Sequence, residues 1–129
     1  MHFICRINRE IYSCITNDIA TDEVIITDVQ IQHIKERHPN DYERFSKYLP
    51  YIVSDPDYIL RGNRPNTAFL LKTFCVKDEN FQLILRLKTS KDIDSYKNSI
   101  ITFLKINDRK LEKYLRNKEI LYIRKDSEV

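Results

Sequence analysis

The chain has 129 residues, 42% of them hydrophobic and 32% charged, a length and apolar share that fit one domain with a real core, expected over 1–129, and leave little room for two. No apolar run approaches the roughly eighteen residues of a membrane span, and a single glycine, Gly62, excludes the Gly-rich phosphate cradles of classical nucleotide-binding enzymes. The net charge of +3 is unevenly spread: residues 1–60 hold six Lys/Arg against ten Asp/Glu (−4), and residues 61–129 hold sixteen against nine (+7).

In chain order, HFICRI at 2–7 reads as a weakly alternating first strand, and its early charges argue against a secretory signal. VII at 24–26 is a second short strand. Thr27 opens a helix, with Gln30 completing a T-x-x-Q capping box and Asp28 at the positive end of the dipole. That helix stops near Pro39. Asn40 opens another, in which Tyr42, Phe45 and Leu49 form one buried stripe and Pro50 ends or kinks the run. DYILR is a strand. TAFLLKTFCV (67–76) and FQLILRLKT (81–89) form a hairpin closed by KDEN. After the polar loop KTSKDIDSYKN come a strand at 98–106, a basic helix capped by Asn107 or Asp108, and a last strand in EILYIRK. Helices first, then an antiparallel meander, then a late helix is an α+β pattern.

Cys5, Cys14 and Cys75 are odd in number and widely spaced, which fits a reduced, cytoplasmic setting without a disulfide framework. No CxxC or HxxxH occurs. His33 and His38 are five apart, about 140° around a helix, so no metal site and no cofactor are expected.

His33 and Arg37 share a helix face at i and i+4. His38 lies on the other side, in phase with Ile31 and Ile34, and reads either as a buried imidazole at the helix end or as a functional one. Imidazole, with a free pKa of about 6.5, takes and gives protons near neutrality. On the 81–89 strand Arg86 and Lys88 share one face with Gln82 and Ile84, opposite Phe81, Leu83 and Leu85. A mid-strand arginine either faces solvent or grips a phosphate or carboxylate. Along 98–106, alternation puts Asn98 with Thr102, and Ser99 with Ile101 and Phe103; any of the polar three could fix a phosphate or ribose. The Lys105–Lys125 stretch is basic enough to attract a phosphate backbone, or is simply a solvated face.

HIKERHPNDYERFSKYLPYIVSDPDYIL, FLLK, LILRLK and KNSIITFLKINDRKLEKYLRNKEILY together resemble the phage-associated branch of the barnase, EndoU, colicin and RelE-type nucleases, a PBECR-type domain with its core at about 24–125. The resemblance implies helices on one face of a four-stranded (or slightly larger) antiparallel sheet. It implies a metal-independent ribonuclease that cleaves through the RNA 2′-hydroxyl. Carried over by position, His33, His38, Arg86, Ser99 and Thr102 are the catalytic set, with Arg37, Lys72, Lys88 and Asn98 on the substrate. Two positions depart from the family pattern: Arg86 stands for a lysine, and Ile101 stands where many relatives have arginine. The implied partners are RNA, such as tRNA or another structured RNA, and a host or antitoxin/immunity protein; no membrane is implied. The competing expectation is an inactive mobile-element module that binds a host protein or RNA through its basic helix.

Overall fold

A computed structural model describes residues 1–125; positions 126–129 of the expected domain lie outside the described residues. Strands β1 (His2–Arg6), β2 (Glu23–Ile26), β3 (Tyr58–Arg61), β4 (Thr67–Phe74), β5 (Glu79–Arg86), β6 (Asn98–Ile106) and β7 (Ile120–Ile123) form one sheet in the order β1-β2-β6-β5-β4-β3-β7. The expected four-stranded antiparallel sheet is therefore corrected to seven strands, with β2 and β6 parallel. All seven strands fall on segments read as strands in the sequence; the count of four came from the family resemblance, and the short outer strands of four or five residues extend the sheet at both ends. β4 and β5 are the long central pair, buried along most of their length, which is why they read as apolar runs.

Helices α1 (Arg9–Tyr12), α2 (Asp28–Arg37), α3 (Asp41–Phe45) and α4 (Leu49–Ser54) supply core residues to one face. Tyr12, Ile34, Phe45 and Ile52 meet Leu70, Leu83, Leu85 and Phe103 there. Within this core Phe81 packs against Phe45, Phe74 and Phe103 with ring centroids 5.0, 5.8 and 5.5 Å away. α1, a single turn absent from the sequence reading, is pinned by the Tyr12 hydroxyl, which donates to the Val53 carbonyl at 2.5 Å. Thr27 caps α2 as its sequence demands, accepting from the Gln30 amide at 3.2 Å. Asn40 makes no side-chain cap and takes a left-handed backbone (φ 73°), so the expected second helix breaks into α3, a 3-10 turn and α4. Pro50 lies in the first turn of α4 where it was expected to end or kink a helix, because its missing N–H is harmless in a first turn.

α5 (Asp108–Asn117) corrects the expectation that the helices share one face. Its Leu111, Tyr114 and Leu115 pack with Leu60, Phe69, Leu71 and Ile106 in a second core on the opposite side of the sheet. Asn107 caps it by accepting from the Lys110 amide at 2.8 Å. Between β3 and β4 the lone glycine is required by close approach. Gly62 donates to the Thr67 carbonyl at 3.1 Å, and a Cβ there would stand 2.6 Å from that oxygen. No helix among the described residues is long and apolar enough to cross a membrane.

Candidate active site

β2 pairs with β6 only at Val24–Asn98 and Ile25–Ser99, because Thr27 then turns the chain into α2. Beyond Ser99, α2 packs beside β6 instead. Ile34 anchors α2 in the core. Gln30, His33 and Arg37, spaced as one helical stripe, line an open groove of about 360 Å³ with Ile84, Ile101 and Thr102 from the sheet. His33 and Arg37 are exposed and Thr102 is half-buried. None of these three side chains hydrogen-bonds or ion-pairs with another described residue, whereas most other polar side chains of the sheet are engaged.

A second cavity, also of about 360 Å³, adjoins the groove and shares Ile84 and Ile101 with it. Arg86 lines this second cavity, together with Phe69 and residues of the β3–β4 turn. Its guanidinium is already committed. It forks onto Asp92 at 3.1 and 2.9 Å, donates to the Leu87 carbonyl, and lies 5.4 Å from the centroid of the Tyr96 ring. The arginine's hydrogen bond, then the Thr89 amide, holds the Asp92 carboxyl below the usual carboxylate range. A carboxylate depressed in the fold stabilises it above the unfolded pKa, about 3.9 for Asp, and that contribution fades as pH falls toward the lower folded value. Asp92→Asn should therefore lower the urea midpoint at pH 6, with the gap to wild type closing below about pH 4. A gap independent of pH would show that the charge plays no part.

The bulge beside the groove changes the expected alternation. Ile84 pairs with Thr102 and Leu85 with Ile100, leaving Ile101 as the extra residue of β6. Ser99 and Thr102 thereby fall on one face and Asn98 on the other, which reverses the grouping expected from strict alternation. Ile101, marked in the sequence only as a departure from an arginine, is the wall between groove and cavity.

The other expected residues stand elsewhere. His38 caps α2 through its backbone, its N–H donating to Ile34 at 2.8 Å, and lines neither groove nor cavity. Asn98 is fully buried and clamps two backbones: it accepts from the Lys88 amide at 2.7 Å and donates to the Thr21 carbonyl at 2.8 Å. Ser99 donates to the Lys97 carbonyl at 3.0 Å. Lys88 reaches the Asp94 carbonyl at 2.8 Å. Lys72 points to the helical side, where Asp55 and Asp57 of the DPD segment hold it at 3.4 and 3.3 Å. Among the described residues no group of three or more His, Cys, Asp or Glu stands together as a metal site would require.

The model of one family, phage-Barnase-EndoU-ColicinE5/D-RelE like nuclease2 (PBECR2), matches residues 5–123. The chain belongs to this family. It thus carries a nuclease-like domain of the barnase, EndoU, colicin and RelE kind, and the α+β architecture is compatible with such a fold. The match runs from Cys5, within β1, through α1 and β2 to the end of β7. Comparison with curated proteins and with solved structures gives no match.

Proposed function

We propose that this PBECR2 domain is a metal-independent endoribonuclease that cleaves RNA by attack of the 2′-hydroxyl on its own phosphate. One observation carries the reading: His33, Arg37 and Thr102 line a single open groove with unengaged side chains. His33 takes the 2′-hydroxyl proton, the O2′–P bond forms, and the P–O5′ bond breaks. The leaving 5′-oxygen takes a proton from water at the open side of the groove. Arg37 neutralises the dianionic phosphorane, and Thr102 orients it by hydrogen bonding. An internal nucleophile supplies the high effective molarity that lets such a step run without a metal. Arg86, tied to Asp92, acts through position and shape in this reading, and the phosphate charge falls to Arg37.

Substrate approach has support on the same side of the sheet. Arg109, Lys110, Lys113 and Arg116 of α5 have no acidic partner among the described residues, and so leave a basic ridge for the RNA backbone. The test is cleavage of single-stranded RNA in excess EDTA, with products identified by mass spectrometry. The expected products end in 2′,3′-cyclic phosphate and 5′-hydroxyl. Strict dependence on Mg²⁺, or 3′-hydroxyl ends, overturns the mechanism. Salt-sensitive binding without any turnover leaves the ridge as a docking surface only.

A further inference from the structure

We propose that Gln30 is the sugar-reading residue of the groove, its carboxamide hydrogen-bonding the ribose 2′-hydroxyl beside His33 and so admitting RNA over DNA; this rests on the nuclease reading of the groove. The first observation is a capping box that is only half made. Thr27 accepts from the Gln30 amide N–H at 3.2 Å. The return bond of such a box, from the glutamine side chain to the backbone of the cap residue, does not form among the described residues. Gln32, two residues on and exposed, spends its side-chain amide on Glu36 at 3.2 Å. The Gln30 carboxamide has no such partner among the described residues. It is half-buried and lines the groove.

The order of residues along α2 assigns the two ends of the groove. His33 stands between Gln30 and Arg37, with Gln30 about 4.5 Å back along the helix axis and Arg37 about 6 Å on. Among the described residues lining the groove Arg37 is the one permanent cation, and none is a carboxylate. The scissile phosphate therefore belongs at the Arg37 end. A base at His33 takes its proton from O2′, so the ribose that carries this oxygen extends from His33 toward Gln30. A neutral carboxamide suits that place. It brings no charge to compete for the phosphate, and its Nε2 carries two donors beside an accepting oxygen. O2′–H donates to His33, and Gln30 Nε2–H donates to one O2′ lone pair, leaving the other to attack phosphorus. A deoxyribose offers only C–H at this point. The half-buried amide would then lose its water to the bound nucleotide without a replacement, which penalises DNA.

The experiment compares two short oligonucleotides of one sequence, all-DNA and DNA with a single ribonucleotide. Both are bound to the His33→Ala protein, which holds the ribonucleotide without cleaving it, and affinity is read by fluorescence anisotropy. The chimera should bind about three- to tenfold more tightly than the DNA, the scale of one hydrogen bond. Adding Gln30→Leu should bring the two affinities together by weakening the chimera alone. Adding Arg37→Ala should weaken both and keep their ratio, since both carry the phosphate. Leucine retains the backbone N–H that Thr27 caps and is as good a helix former as glutamine. Gln30→Met, unbranched like glutamine, repeats the test should the leucine variant lose DNA binding as well. Equal affinities in His33→Ala, or a preference that survives both Gln30 variants, overturns the assignment; cleavage of the chimera by wild type then still upholds the groove. A preference that disappears with Gln30, in a protein whose wild type cleaves nothing, upholds the sugar contact and refutes the nuclease reading.

Discussion

His33→Ala lowers the rate of RNA cleavage at least about a hundredfold, the usual scale for losing a general base, while the melting temperature stays within a degree or two. The reason for the second half is local. His33 is exposed on the middle of α2 and has no side-chain partner among the described residues, so truncation empties no core and orphans no buried group. Alanine is also the better helix former. A rate loss in this variant is therefore a statement about chemistry and not about folding. His38→Ala is the matched control. His38 ends α2 outside the groove and holds its neighbours through backbone hydrogen bonds that alanine also makes, so its rate should change by less than about threefold. A hundredfold loss at His38 with His33 silent would transfer the base to the helix end and discard the groove as the reacting site. Arg37→Ala should match the His33 scale, losing about a hundredfold or more in kcat, with Arg37→Lys restoring part of it, since a point charge replaces charge but not the planar fork.

The sequence exposed the parts of this molecule that depend on local chemistry. The Thr27 cap, the Asn107 cap and the apolar runs of β4 and β5 are each written in a few adjacent residues. The pairing of His33 with Arg37 was equally legible, because a helix fixes which side chains meet at i and i+4. What failed was decided at a distance. The parallel pairing of β2 with β6 joins segments more than seventy residues apart. The bulge at Ile101 leaves no mark on alternation, since Ile suits either face. Arg86 was legible as a mid-strand cation, but its partner Asp92 sat in a stretch read only as polar loop. Lys72 was a plausible phosphate ligand until the DPD turn, from another strand connection, supplied two carboxylates to it. The adjoining cavity was invisible for the same reason: Asn63 and Arg64 belong to a turn, and nothing in a turn's sequence says which strand face it will overhang.

Phe81→Ala is expected to remove about 3–5 kcal/mol of stability, a large share of the roughly 5–15 kcal/mol that holds a domain folded. Phe81 is fully buried and sits among Phe45, Tyr48, Phe74 and Phe103, so its ring has close partners on α3, the following 3-10 turn, β4 and β6. Those neighbours are themselves fixed by the sheet and by α4, and cannot collapse into the gap; the cavity therefore persists and the loss falls at the high end. Chemical denaturation with a single-transition fit checks the figure. The same strand separates this effect from catalysis. Phe81, Leu83 and Leu85 face the helices, whereas Ile84 and Arg86 face the groove and its cavity. At a temperature where most molecules remain folded, Phe81→Ala should keep kcat/KM per folded molecule within about threefold of wild type. It is the mirror image of His33→Ala, which spares the fold and removes the reaction. If kcat/KM instead drops in step with His33→Ala while the protein is still folded, the two faces of β5 are coupled, and the groove owes its shape to the aromatic core beneath it.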